Sequence, residues 1–217
     1  MTTASESQDN RVEPTTSSTF PTSVRFKSPE SAHLSILGLG AYSVGVSFVK
    51  IHAFSVGFYA DVQPDLHPDF YELGPNHRLD WLIMNRTVAV RLVPTSFSTF
   101  QRLQAEFVKA LEAALAQARK PARTKEEEEN ILTTIRQLKS MTPSPTLQSK
   151  TPFYLISSPE FESRTLDIPS VDGDIRRIWV DVEFVQNFIR DGAPPSMKRS
   201  AYEGLQCLQP QVPLGRQ

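Results

Sequence analysis

The sequence has few of the features that mark specialised protein classes. Its 217 residues contain a single cysteine, Cys207. An internal disulfide framework is therefore excluded, and a reducing compartment is the simplest setting. Lysine and arginine number 23 against 24 acidic residues, which leaves no basic excess for nucleic acid or an anionic membrane. No apolar run approaches about 18 residues without a charge, so we expect no transmembrane helix.

Recognisable targeting signals are also missing from the start of the chain. Residues 1–25 are rich in serine, threonine and proline and include the acidic residues Glu6 and Asp9. A transit peptide is rich in arginine and poor in acids, and a signal peptide needs an apolar segment. We therefore expect a disordered tail over residues 1–25, a domain over residues 26–209 and a loose tail over residues 210–217. The expected compartment is the cytoplasm or, without a clear targeting peptide, the mitochondrion.

Hydrophobic patterning predicts groups of strands that alternate with groups of helices. Alternating or β-branched runs are typical of strands, which we expect at residues 44–49, 51–60, 87–95, 153–157, 165–168 and 175–180. Apolar spacings of three and four predict helices at residues 98–120, 124–139, 182–189 and 196–208. Residues 62–80, with three prolines and Gly74, are expected to form a loop. This order favours an α+β fold, a mostly antiparallel sheet covered by helices.

Glycines mark the first pair of predicted strands. Gly38, Gly40, Gly45 and Gly57 lie at or inside strand patterns, where glycine indicates a bulge or a close approach of another backbone. The stretch GLGAYSVG lacks the G-x-G-x-x-G spacing and does not begin a helix. A phosphate-binding loop is therefore excluded here.

Three segments resemble the chalcone isomerase superfamily, the second of them in its fungal form. They are GLGAYSVGVSFVKIHAFSVGFYAD at residues 38–61, RLVPTSFSTFQRLQAEFVKAL at residues 91–111 and APPSMKRSAYEGL at residues 193–205. The resemblance implies an open-faced β-sandwich, in which a large antiparallel sheet is covered by a layer of helices. It also implies a small apolar ligand between the two layers. Members of this superfamily include chalcone-cyclising isomerases, non-catalytic fatty-acid binders and haem-binding mitochondrial proteins.

The chain departs from the enzymes of that superfamily at the positions that carry the chemistry. Tyr42 stands where the enzymes have an arginine, and a neutral phenol cannot supply the positive charge that stabilises an enolate or phenolate. Phe54 stands where they have a threonine. The polar residues on the long helix of the enzymes align near Thr99, Arg102 and Glu106. None of these three positions keeps the residue type of the enzymes. We therefore predict no catalytic residues and a non-catalytic binder of a small apolar ligand such as a fatty acid.

Six residues are predicted to line the ligand site. Tyr42 and Arg91 would hold a polar head, phenylalanines would bury an apolar tail, and Arg102 would point in from a helix; the set is Tyr42, Phe54, Arg91, Phe100, Arg102 and Phe107. Arg91 lies in an otherwise apolar strand whose Ala89–Arg91–Val93 face is opposite that of Val88, Val90 and Leu92. The alternative for Arg91 is an ion pair with a carboxylate at the sheet surface.

Three other functions remain open at the level of sequence. An isomerase (intramolecular lyase) would need Arg91 or Arg102 to stabilise an enolate. A haem-binding protein would need an axial ligand, for which His52 and Cys207 are candidates. A filled cleft would leave a structural or interaction module, with which the bulky Phe54 is consistent. The histidines show no metal-binding spacing, so no metal and no cofactor other than this haem alternative are expected.

Overall fold

The computed structural model describes residues 4–26, 33–46, 49–62, 66–95, 105, 108–109, 112, 125–140, 152–157, 164–169, 175–180 and 194–208. Within these residues the strands are β1 (Ala4–Glu6), β2 (Asn10–Val12), β3 (Thr19–Pro21), β4 (Ser23–Phe26), β5 (His33–Val46), β6 (Val49–Ala60), β7 (Val88–Pro94), β8 (Phe153–Ser157), β9 (Arg164–Pro169) and β10 (Ile175–Val180). The helices are α1 (Pro68–Glu72), α2 (Pro75–Asn85), α3 (Lys125–Ser140) and α4 (Pro195–Gln206). Residues 105, 108–109 and 112 are also helical.

The strands form one large antiparallel sheet with a small hairpin beside it. Eight strands pair in the order β1-β4-β5-β6-β7-β8-β9-β10, and β2 pairs with β3 separately. Each pairing in both sheets is antiparallel. The predicted α+β class with an antiparallel sheet is therefore confirmed. The predicted helix at residues 182–189 lies outside the described residues, and the helix at 98–120 is described only at its four helical positions.

Among the side chains that the structure describes, an apolar cluster lies on each face of the sheet. One face, which we call the helix face, carries a single apolar cluster made with the helices, including Val56, Phe58, Val90, Leu92, Leu155, Leu82, Val108, Ile135, Met197 and Leu205. The opposite face, which we call the N-terminal face, is covered by residues 4–26 and carries Phe20, Val24, Phe26, Leu34, Ile36, Tyr59, Ala89 and Val93. The predicted division of β7 into two opposite faces is therefore confirmed.

The sheet curls strongly at its N-terminal edge. Strand β1 is four strands away from β7 in the pairing order, which would be roughly 19 Å in a flat sheet. Nevertheless, Oε1 of Glu6 on β1 lies 2.9 Å from Nη2 of Arg91 on β7. The β1–β4 edge must therefore fold over the N-terminal face, which it closes.

The predicted disordered tail differs from the structure. Residues 4–26 form four strands and a tight turn, and Phe20 and Glu13 are almost fully buried. The Glu13 carboxylate accepts hydrogen bonds from the Thr15 and Thr16 backbone amides at 3.0 and 2.7 Å. Serine and threonine thus contribute local hydrogen bonds in this segment. Although the segment is mainly polar, a few of its apolar side chains complete the core on the N-terminal face.

The predicted loop at residues 62–80 also differs from the structure, because it contains α1 and the start of α2. Pro68 and Pro75 each lie in the first turn of a helix. Proline is tolerated at this position because its missing N–H has no partner inside the helix. The prolines that suggested a loop therefore mark where helices begin, and Leu79, Leu82 and Ile83 of α2 are buried at helical spacing.

Arg78 of α2 ties three parts of the helical layer together. Its guanidinium donates to the backbone carbonyls of Leu73 (2.9 Å), Leu205 (3.0 Å) and Tyr71. It also lies over the Phe70 ring, 5.5 Å from the centroid. Leu205 lies in the last turn of α4, where the helix dipole favours a cation. The C-terminal end of α4 is thereby held against α1 and α2.

We expect Arg78→Ala to lower the free energy of unfolding by about 3 kcal/mol, because charged hydrogen bonds contribute roughly 1.5 to 3 kcal/mol each. Urea denaturation followed by circular dichroism measures the change. Arg136→Ala is the matched control, since Arg136 is exposed and pairs only with Glu129 among the described residues; its effect should stay below about 1 kcal/mol. Equal effects of the two substitutions would contradict this account.

Candidate functional site

The glycines of β5 allow α4 to lie directly on the sheet. A Cβ atom on Gly38 would lie 2.6 Å from the Ala201 backbone nitrogen and 2.7 Å from the Met197 carbonyl oxygen. Gly40 is equally crowded by Met197, and a Cβ on Gly204 of α4 would lie 2.5 Å from the Leu37 carbonyl oxygen. The helix and strand backbones therefore approach closely, and α4 packs directly on the helix face of the sheet.

The close contact between α4 and β5 also explains which residues of α4 are buried. Met197, Ala201 and Leu205 recur every four residues and are fully buried. Ser200 supplies a polar link, because the Leu39 backbone amide donates to its Oγ at 3.2 Å. The G-x-G pattern and the C-terminal segment, which are far apart in sequence, thus pack together.

Tyr42 and Phe54 lie opposite each other on β5 and β6 and belong to the helix face. They are direct partners in the strand register, next to an irregularity between Tyr42 and Ser43. Phe54 is buried in the helix-face cluster, and Tyr42 is partly buried against that cluster. Val108 contributes to the same cluster from a helical position. The structure therefore brings these two predicted residues together between sheet and helices.

Arg91 is the one other predicted residue that the structure describes, and it does not join Tyr42 and Phe54. Phe100, Arg102 and Phe107 lie outside the described residues. Arg91 projects from β7 toward the N-terminal face, because it alternates with Val90 and Leu92, which belong to the helix face. Arg91 therefore does not supply a cation beside Tyr42. The alternation of side chains along β7 already predicted that Arg91 and Val90 lie on opposite faces of the sheet.

Arg91 is instead enclosed by the N-terminal segment. Its Nη2 contacts Glu6 Oε1 at 2.9 Å, and its Nη1 donates to the Thr19 carbonyl at 3.3 Å. The guanidinium carbon lies 5.6 Å from the Phe20 ring centroid and 5.7 Å from that of Tyr154. Arg91 therefore forms the ion pair with a carboxylate that was the alternative prediction for this residue. The pair differs from that prediction in its position, because the Arg91 side chain is only 9 % exposed.

Two tyrosines complete this polar cluster as neutral donors. The Tyr154 hydroxyl donates to Glu6 Oε1 at 2.6 Å, and the Tyr59 hydroxyl donates to the Pro21 carbonyl at 3.0 Å. Burial raises the pKa of both phenols, and the nearby Arg91 charge only partly opposes that increase. Both tyrosines therefore keep their protons at physiological pH. Sequence reasoning missed Glu6 as a partner because it assigned residues 1–25 to a tail.

The remaining sequence candidates lie at the periphery. His52 Nδ1 is 2.9 Å from Ser43 Oγ across the β5–β6 hairpin, and Cys207 is exposed at the end of α4. In the part of the chain that the structure describes, no three histidine, cysteine or acidic side chains form a group that could hold a metal ion. The described helices also include none that is long and apolar enough to cross a bilayer.

Comparisons with known proteins place the fold. No protein-family profile matches the chain, and no curated protein sequence matches it. Among solved structures, it is similar to AtFAP1, a fatty-acid binding protein of Arabidopsis thaliana. The TM-score is 0.60 at 16 % identity, and the alignment covers 91 % of this chain and 96 % of that one. The chain therefore has the chalcone-isomerase-like fold that its sequence predicted.

Proposed function

We propose that this protein is a non-catalytic binder of a small apolar ligand of the fatty-acid class, held between the sheet and the helical layer. The observation that carries the proposal is the apolar wall around Tyr42 and Phe54 on the helix face. The similarity to AtFAP1, a protein named for fatty-acid binding, supports the same ligand class.

The wall has the chemistry that such a ligand requires. Phe54 belongs to a cluster of buried apolar residues on the helix face that also includes Leu92, Val108 and Met197. Burying a hydrocarbon chain against them contributes roughly 0.8 kcal/mol per CH₂ group. Tyr42 adds a phenol that can orient a polar head group. Binding therefore does not need the arginine of the enzymes at this position.

Our proposal assigns no isomerase chemistry to the chain. Catalysis of enolate or phenolate formation needs a fixed positive charge beside the developing oxyanion. Tyr42 is neutral, and Arg91, the one of the two sequence candidates that the structure describes, points to the opposite face of the sheet. We expect no acceleration of chalcone cyclisation above buffer when the purified protein is assayed.

Haem is a poorer fit to the described residues than a fatty acid is. Cys207 is exposed at the end of α4, outside the helix-face cluster. His52 is paired with Ser43 on the hairpin, and Ser43 follows Tyr42 on β5 and so points to the opposite face from the helix-face cluster. The proposed function therefore contains no haem, and a Soret band after haem titration would speak against it.

Enlarging Phe54 is expected to block the site. Phe54→Trp adds volume to a closely packed wall, and we expect it to weaken fatty-acid binding at least about tenfold through lost space. Isothermal titration calorimetry with dodecanoate measures the affinity of the delipidated protein.

Phe26→Trp is the matched control for this experiment. Phe26 is also a buried phenylalanine, 5 % exposed against 3 % for Phe54, but it lies on the N-terminal face. Thermal melting shows whether the two variants are equally folded. The proposal predicts weakened binding for Phe54→Trp alone, and equal affinities of the two variants would refute the assignment to the helix face.

A further inference from the structure

A buried arginine on the N-terminal face is held by a carboxylate from the edge of the sheet. Arg91 Nη2 and the Tyr154 hydroxyl both contact the same oxygen of Glu6, at 2.9 and 2.6 Å. The Arg91 side chain is 9 % exposed, whereas that of Glu6 is 38 % exposed. The carboxylate therefore lies at the solvent rim of a site whose cation is buried beneath it.

The Arg91 guanidinium has donor capacity that the fold does not use. Its Nη1 donates to the Thr19 carbonyl at 3.3 Å, a long hydrogen bond. Its Nε is buried and has no hydrogen-bond partner among the described residues. A guanidinium carries five N–H donors in a fork that suits both oxygens of a carboxylate, whereas Glu6 reaches it through Oε1. The buried cation is thus incompletely satisfied by its present partner.

The surroundings of the guanidinium suit a carboxylate that carries an apolar chain. The rings of Phe20 and Tyr154 flank Arg91 at 5.6 and 5.7 Å. A cation and a phenol donor thus lie beside aromatic surface, which is the usual composition of a small-molecule site.

The present occupant comes from a short strand at the edge of the sheet. Glu6 is the last residue of β1, a strand of three residues at one end of the pairing order. A three-residue edge strand adds few ladder hydrogen bonds. Because Arg91 is buried, taking Glu6 away leaves the Arg91 charge uncompensated unless another carboxylate replaces it. A ligand carboxylate that takes the place of Glu6 offsets that cost.

We propose that Arg91 and Tyr154 form a carboxylate-binding site, that Glu6 occupies it in this structure, and that a monocarboxylate with an apolar chain binds there when β1 moves aside. Glu6 acts as a tethered competitor, so the apparent affinity falls with the fraction of molecules in which Glu6 is bound. The site is on the opposite face of the sheet from Tyr42 and Phe54, so it does not rest on the proposed function.

The test compares octanoate with octanol, which has the same chain without the charge, on the full-length protein by calorimetry. Glu6→Ala is expected to raise the octanoate affinity about tenfold, because the internal competitor is gone, and to leave the octanol affinity unchanged. In the Glu6→Ala background, Arg91→Met should remove the gain. Tyr154→Phe, which keeps the ring, should remove part of the gain if Arg91→Met fails to fold.

A further variant separates this site from the helix face. The gain from Glu6→Ala should persist when Phe54→Trp is also present, even if that substitution abolishes all binding on the helix face. Three results would overturn the proposal: an unchanged octanoate affinity in Glu6→Ala, an equal gain for octanol, or loss of the gain with Phe54→Trp. In each case the Glu6–Arg91 contact would serve only to close the curled sheet.

Discussion

Replacing Gly38 by alanine is expected to lower the free energy of unfolding by about 3 kcal/mol, since forcing an extra carbon into a packed interface typically costs 1 to 3 kcal/mol or more. The new Cβ would lie 2.6 Å from the Ala201 nitrogen and 2.8 Å from the Ala201 Cβ. These neighbours belong largely to the α4 backbone, which cannot rotate away as a side chain can. The helix must therefore shift outward from the helix face of the sheet.

Gly74→Ala is the matched control for Gly38→Ala. A Cβ atom on Gly74 would meet only the His77 ring, at 4.0 Å, which is an ordinary contact. Gly74 precedes α2 with an extended backbone that alanine also adopts. Urea unfolding should show a change within about 1 kcal/mol for Gly74→Ala. If both glycine substitutions gave the same midpoint, the close approach of α4 to β5 would be disproved.

Replacing Phe20 by alanine is expected to cost about 4 kcal/mol of stability, within the range of 3 to 5 kcal/mol for a buried phenylalanine. The Phe20 ring is fully buried on the N-terminal face. It lies directly over Gly57, where a Cβ would be 2.7 Å from the ring, and beside the Arg91 guanidinium. Its removal would leave a cavity in the curl of the sheet and loosen the surroundings of Arg91.

This prediction tests whether residues 4–26 belong to the folded domain. Val12→Ala serves as the control, because Val12 lies in the same segment and is 56 % exposed; it should change stability by less than about 0.5 kcal/mol. Chemical denaturation of the full chain compares the two variants. A wild-type midpoint for Phe20→Ala would mean that the segment behaves as the tail that its composition suggested.

Patterns within one strand or one helix were sufficient to predict much of the architecture. The alternation in VAVRLVP determines both faces of β7, because side chains on a strand alternate with a period of two. The faces of β7 and the fold class therefore follow from local periodicity, whereas the pairing order of the strands does not.

Features that depend on distant residues could not be predicted in the same way. Phe20 stands as a single aromatic residue among serines, threonines and prolines, so no period indicates that it is buried. Arg91 could be assigned to a face, but its partner Glu6 lies 85 positions earlier in the chain. The reason for Gly38 likewise lies in the backbone of α4. Such contacts are set by the curl of the sheet and the docking of a helix, which sequence spacing does not encode.

Native mass spectrometry of the delipidated full-length protein titrated with oleate tests the central claim most directly. With Glu6 in place on Arg91, the proposed function predicts a one-to-one adduct at low oleate concentrations, which persists in Phe26→Trp and is weakened at least about tenfold in Phe54→Trp. Protein that remains bare at every oleate concentration, while far-ultraviolet circular dichroism shows it folded, would contradict the claim. The space between sheet and helices would then be a filled core, and the protein would have to act through its surface.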